Sequence, residues 1–222
     1  EPFETALMAR LLTDGDTFVD VGANRGWFTL LGASAVGPSG RVLAFEPDDR
    51  VRQTLLRNLE VNPHLAEVVD VWSTAVGTSD GRAEFVQEPE SGRSHLLGQE
   101  EGARATVSVE VRSLASVLQE LDLTPDAIKI DVEGNELDVL AGLADCVATP
   151  AILVEVVPEQ LERGGTSFDE ILALLGEAYR CYWVCWTHGR LEPVDGNQCG
   201  SGRNMLVLPA NRADEILGRL IA

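Results

Sequence analysis

An α/β architecture, a largely parallel sheet with helices on both faces, follows from three features of this chain. Short runs rich in Val, Ile, Leu and Phe alternate with longer amphipathic stretches, the order that strand–helix–strand units produce. The run at residues 18–21 leads straight into a glycine-spaced turn, Gly22-Ala-Asn-Arg-Gly26, and a second run closes on the carboxylate of Glu46. In open sheets of this kind ligands bind beyond the carboxyl ends of the strands, where strand order reverses.

Residues 4–12 read as an opening helix, 17–21 as the first strand and 27–36 as the helix after the glycine turn. Residues 41–46 are the second strand, Asp49 opens a helix reaching about residue 62, and 68–74 are the third strand. From residue 76 to 112 the texture changes, with Gly77, Gly81, Gly92, Gly98 and Gly102 separating short alternating runs at 83–86 and 107–111. Residues 77–112 therefore read as an inserted hairpin and loop, and its 86–104 part as a substrate cover, since long loops in compact domains tend to bind. A helix at 113–121, a strand at 127–132, a helix at 135–143 and a strand at 151–157 continue the alternation. A helix at 167–176, an aromatic strand at 182–186, a strand at 205–208 and a helix at 212–221 complete it. The last two strands are expected to pair as an antiparallel hairpin at the sheet edge. Without repeats, low-complexity tracts or a linker, residues 1–222 read as one domain.

Composition agrees. The 222 residues are 45% hydrophobic and 24% charged, which suits a chain of this size burying roughly 70% of its unfolded surface. A formal charge of −19, from 17 basic and 36 acidic side chains, repels phosphate backbones and anionic membranes, so neither nucleic acid nor a membrane is an expected partner. No apolar run approaches the roughly 20 residues that span a bilayer, and Glu1-Pro-Phe-Glu4 is not a basic leader; a soluble, cytoplasmic protein is expected. Cys146, Cys181, Cys185 and Cys199 lack C-x-x-C spacing, so free, reduced thiols are expected rather than a zinc site with His188. Homo-oligomer formation stays open.

The turn decides the ligand class. Counted from Gly22, a dinucleotide fingerprint needs glycine where Asn24 and Trp27 stand, and a phosphate loop counted from Gly32 needs lysine where Pro38 stands. What remains is D-x-G-x-x-x-G from Asp20 to Gly26, followed by the strand-terminal Glu46, which a parallel sheet presents to the two hydroxyls of a ribose.

Phe18-Val-Asp-Val-Gly-Ala-Asn-Arg-Gly-Trp-Phe-Thr-Leu30, Gly40-Arg-Val-Leu-Ala-Phe-Glu-Pro47, Asn58-Leu-Glu-Val-Asn62 and Lys129-Ile-Asp-Val-Glu-Gly-Asn-Glu-Leu-Asp-Val-Leu140 together resemble the FkbM family of methyltransferases. The Lys-Ile-Asp-Val-Glu-Gly segment is the specific part, and the likeness continues weakly into Asn204–Pro209. The resemblance implies a Rossmann-like class I methyltransferase fold, a seven-stranded mostly parallel sheet with an antiparallel edge hairpin. It also implies S-adenosyl-L-methionine as cofactor and O-methylation of a small hydroxylated acceptor, a sugar or a secondary-metabolite scaffold.

On that reading Glu46 and Pro47 hold the ribose, Asp20, Gly22, Ala23, Asn24 and Gly26 shape the methionine end, and Ala75 and Val76 flank the adenine. Lys129, Asp131 and Glu133 fall on one strand face by the period of two, and unpaired burial of such charges costs several kcal/mol. One explanation is an ion pair of Lys129 that only holds the turn. The functional one puts Asp131 and Glu133 at a pocket rim, as candidates both for cofactor contact (Asp131) and for taking the acceptor's proton. His95 and His188 are the alternatives, histidine having the pKa suited to neutral proton transfer. Asp131, Glu133 and Glu155 could bind magnesium, but no metal is expected. Two rival functions stay in view: a cofactor-binding module without catalysis, and an NAD-dependent oxidoreductase.

Overall fold

Alternate residues of a strand face opposite ways, and several strands here are apolar on both faces, which suits central strands with helices on each side. The computed structural model describes residues 2–87, 94–97, 106–143, 150–185, 189–194 and 204–221. The chain begins with α1 (Pro2–Leu11), β1 (Thr17–Val21), α2 (Trp27–Val36), β2 (Arg41–Phe45), α3 (Asp49–Glu60), α4 (Pro63–Ala66) and β3 (Val69–Trp72). Next come β4 (Ala75–Val76), β5 (Gly81–Val86), β6 (His95–Leu96), β7 (Thr106–Arg112), α5 (Leu114–Leu121), β8 (Ala127–Ile130) and α6 (Glu136–Ala141). It ends with β9 (Ala151–Glu155), α7 (Pro158–Arg163), α8 (Phe168–Leu175), β10 (Tyr179–Cys185), β11 (Arg190–Pro193), β12 (Asn204–Pro209) and α9 (Ala213–Ile221).

Among the described residues the main sheet has eight strands in the order β11-β10-β12-β9-β8-β1-β2-β3. Strands β9, β8, β1, β2 and β3 are parallel, while β12, β10 and β11 form an antiparallel edge. The hairpin expected at the edge is β10 with β12. Strand β11 adds one strand to the expected seven; its Arg-Leu-Glu-Pro run carries a single aliphatic residue and so no apolar signal. The third strand ends at Trp72, earlier than expected, because the chain turns there into a second sheet of order β4-β7-β5-β6. That sheet is the inserted segment, and Ala75, Phe85, Val109 and Val111 give it a small core of its own.

Strand parity sorts the main core. Val19, Val21, Ile128, Ile130, Ile152 and Val154 face α5, α6 and α8, while Phe18, Val42, Ala127 and Leu153 face α1, α2 and α9. Fully burying each such large side chain contributes about 1.5–3 kcal/mol. Asp20 and Lys129 belong to the second face and are register partners on β1 and β8, so two charges lie inside an apolar layer.

Cys181 is a free thiol, but Cys185 is disulfide-bonded, its partner lying outside the described residues. The expectation of reduced thiols throughout is therefore corrected: spacing along the chain does not report which cysteines meet in space. Among the described residues no helix is long and apolar enough to cross a membrane.

Candidate active site

The chain runs outward from β1 to β2 and β3, then returns to β8 on the other flank of β1, so strand order reverses between β1 and β8. Backbone bonds tie the strand ends at that point: Gly22 N–H donates to the Phe45 carbonyl at 3.0 Å and Asp131 N–H to the Val21 carbonyl at 3.0 Å. A crevice opens there. Gly22, Asn24, Glu46 and Pro47 line one part of it, Asp131, Glu133 and Asn135 another. Thr74, Ala75 and Val76, with Val51, form a largely apolar end, and Phe85, Ser94 and Leu96 of the second sheet supply the outer wall.

Glu46 is 7% exposed, and each of its oxygens already accepts a backbone N–H, Oε2 from Asn24 at 2.9 Å and Oε1 from Asp48 at 2.8 Å. Burial pushes its carboxyl up to about 7, against the pull of those two amides. The turn has a tight reason for its glycine: Gly22 sits at φ +78°, and a Cβ there would run into the Asp131 carbonyl. Asn24 takes a left-handed φ of 51°, which asparagine tolerates better than most residues. Gly26 opens α2, and Ala23 is buried beneath the turn; neither lines the crevice.

Asp20 also stands behind the turn. Its carboxylate accepts the Thr29 hydroxyl at 2.6 Å, and burial raises its pKa while the nearby Lys129 lowers it. Lys129 is 4% exposed, donates to Asp131 Oδ2 at 2.9 Å and lies 4.9 Å from the centre of the Phe28 ring. The ion pair weighed from the sequence therefore exists, yet Asp131 also lines the crevice, so holding the turn and facing a ligand are compatible.

Asp131, Glu133 and Glu155 bring ligand atoms within 4.8 Å of one another, a hard-oxygen set of the type that binds divalent cations. Burial, followed by the charges of Asp131 and Glu133, drives the Glu155 carboxyl up to about 9. Glu133 has a left-handed φ of 60°, and its backbone carbonyl accepts from Arg163 at 2.6 Å. Glu136 fixes this turn from below: it is fully buried, and its Oε1 accepts from Val132 N–H at 3.2 Å and Gly134 N–H at 3.1 Å. Gly134, at φ +121°, presses against the Gln160 carbonyl with no room for a Cβ.

His95 is buried on β6 between two lining residues, Ser94 and Leu96, but does not line the crevice itself. His188 lies outside the described residues, as does most of the expected cover; its described parts include Ser94 and Leu96.

With this geometry in hand, comparison with known proteins is decisive: residues 20–181 match the Methyltransferase FkbM domain. The chain belongs to the FkbM methyltransferase family. Methyltransferase 1 of Beauveria bassiana (strain ARSEF 2860) is 30% identical, across 60% of this chain and 60% of that protein. Methyltransferase sdnD of Sordaria araneosa is 32% identical, across 56% of this chain and 59% of that protein. The FkbM match thus spans about three-fifths of the length of these curated relatives. Methyltransferase FkbM from Methylobacillus flagellatus KT superposes with a TM-score of 0.56 at 19% identity, over 89% of this chain and 44% of that one. The fold is accordingly the Rossmann-like α/β fold of class I methyltransferases.

Sequence reasoning missed several residues of the FkbM crevice. Thr74 is 6% exposed and its hydroxyl is buried without a hydrogen-bond partner, a polar atom left over at the apolar end. Its position just before Ala75 was the available signal. Asp48 follows Glu46 and Pro47 directly, whereas Phe85, Ser94 and Leu96 reach the crevice only because the second sheet folds back toward the end of β2, which no local pattern reports.

Proposed function

We propose that this FkbM domain transfers the methyl group of S-adenosyl-L-methionine to a hydroxyl of a small metabolite, a sugar or a secondary-metabolite scaffold. Glu46 carries the reading: a carboxylate buried at the end of a parallel strand, beside the order reversal, at the wall of a crevice. In this proposal the two ribose hydroxyls donate to Glu46, whose orientation the Asn24 and Asp48 amides hold. The orphaned Thr74 hydroxyl meets the edge of the adenine between Val51, Ala75 and Val76. Asp20 acts from behind the turn, keeping α2 and Lys129 in place without touching the ligand.

Bound there, adenosylmethionine supplies an activated methyl group on its sulfonium. The protein's own task is alignment, and a near-attack pose can supply roughly 7–11 kcal/mol. A positioned base adds about 10² to 10⁴ in rate by removing the acceptor's proton. Asp131 is the favoured base because it lines the crevice and is held in place by Lys129 Nζ at 2.9 Å; Glu133 is the second choice. The reading calls on no metal.

Nothing in the crevice favours NAD, whose fingerprint the turn lacks. Calorimetry with adenosylmethionine, adenosylhomocysteine and NAD tests the cofactor, with micromolar uptake of the first two and none of the third expected. A screen of hydroxylated metabolites for labelled-methyl uptake then tests the chemistry. Tight binding with no transfer to any of them would leave a module without catalysis, and preference for NAD would overturn the reading.

A further inference from the structure

Asp48 does more than its local position demands. It is the N-cap of α3, its side chain accepting from Arg50 N–H at 3.0 Å, and a cap on exposed helix ends needs no further partner. Yet Asp48 is fully buried, and its carboxylate is also the meeting point of two elements far apart in sequence. Ser94 Oγ donates to its Oδ2 at 2.9 Å and Gln87 Nε2 to its Oδ1 at 3.4 Å, from residues adjoining β6 and β5, while the Arg50 guanidinium donates to the same two oxygens, to Oδ2 at 2.8 Å and to Oδ1 at 3.1 Å. Its own N–H donates to Glu46 Oε1 at 2.8 Å. One residue thus links the carboxylate at the end of β2 to the arm that carries Ser94 and Leu96. Leu96 pairs across the strands with Phe85, and Leu97 N–H donates to the Glu84 carbonyl at 2.8 Å, so the wall moves as a unit with its hairpin.

We infer that Asp48 is a positioning residue that couples the ribose carboxylate to the outer wall of the crevice. This rests on the adenosylmethionine reading above. Through the path Glu46 to Asp48 to Ser94, a ligand that engages Glu46 fixes Phe85, Ser94 and Leu96 against it, and by linkage a secured wall strengthens the hold on the ligand. Without the Ser94 and Gln87 bonds the second sheet keeps its own strand pairing, but its distance from α3 is no longer set.

The test uses the full chain, adenosylhomocysteine as probe, and two readouts, calorimetric affinity and amide exchange at Leu96 and Leu97. Removing two hydrogen bonds to a charged acceptor in the double variant Ser94→Ala/Gln87→Ala is expected to weaken the probe about fivefold to tenfold. It should also abolish the slowing of exchange at Leu96 and Leu97 that the probe produces in the parent protein. Arg50→Ala, which removes the guanidinium pair but keeps the backbone cap and the Ser94 and Gln87 bonds, should bind within about twofold of the parent and keep that slowing, separating the links to the wall from the ion pair. Unchanged affinity in the double variant, or probe-induced slowing that survives in it, overturns the inference while leaving the cofactor reading intact. A parent protein that does not take up the probe brings down both.

Discussion

Glu46 concentrates the pH behaviour of this protein. Its carboxyl, like that of Glu136, titrates near 7 in the folded chain, above the ordinary value of 4.5, because burial disfavours the charge. A raised acid stabilises the fold while it is protonated, so the free chain is expected to lose stability as pH climbs from about 5 to 7, read by thermal melts. Proposed ribose hydroxyls need the ionised form as acceptor, so adenosylhomocysteine should bind up to about tenfold tighter per pH unit over that window, with proton release on binding visible in calorimetry. Glu46→Ala should remove that dependence and weaken the probe by about 2 kcal/mol, and equal affinity would refute the ribose contact. Thr74→Val separates ligand recognition from folding: losing an unpaired buried hydroxyl should leave the melting temperature equal or higher, while the probe binds about fivefold to tenfold less well. Asp131→Asn should cut turnover about 10²- to 10⁴-fold and spare probe affinity, and normal turnover with the true acceptor would dismiss it as base.

At the scale of elements, the site is a set of strand ends clamped together. Gly22→Ala forces a side chain into the left-handed region and into the Asp131 carbonyl at once, so it should cost about 3 kcal/mol or more in urea unfolding, with β1 and β8 pushed apart. A loss below about 1 kcal/mol would mean that the two turns are free to separate. The glycine turn and Glu46 were legible in the sequence because their chemistry is local: an apolar strand, a glycine, an acid before proline. The reason for Gly22 was not, since what excludes a Cβ comes from more than a hundred residues downstream by chain position, Asp131. The same holds for Glu136 and for His95: a helical acid reads as solvated and a loop histidine as available, until tertiary packing buries both.

For the whole molecule, alternating apolar runs sufficed to read a parallel sheet with an antiparallel edge, because burial on both faces leaves an unmistakable pattern. The second sheet was only partly readable, as its strands are half-exposed and pair across the insertion, β5 with β7 and β4 with β7, rather than in a simple alternation with helices. The charge of −19 acts on the compact state as a whole through self-repulsion. Raising ionic strength from about 0.01 to 0.15 M shortens the screening length from roughly 30 to 8 Å, so the melting temperature should rise by a few degrees, about 2–5 °C. A fall instead would mean that specific ion pairs such as Arg41–Asp70 outweigh the net repulsion.

The carbonyl lodged in the hollow at Gly22 has a bearing on how such proteins diversify. The turns after β1 and β8 share one interlocking seam, so neither can be exchanged for a homologue's version unless its counterpart travels with it. New substrate preferences are then most readily acquired at the rim, in the folded-over hairpin and its flanks, where length and side chains can drift without prising that seam open.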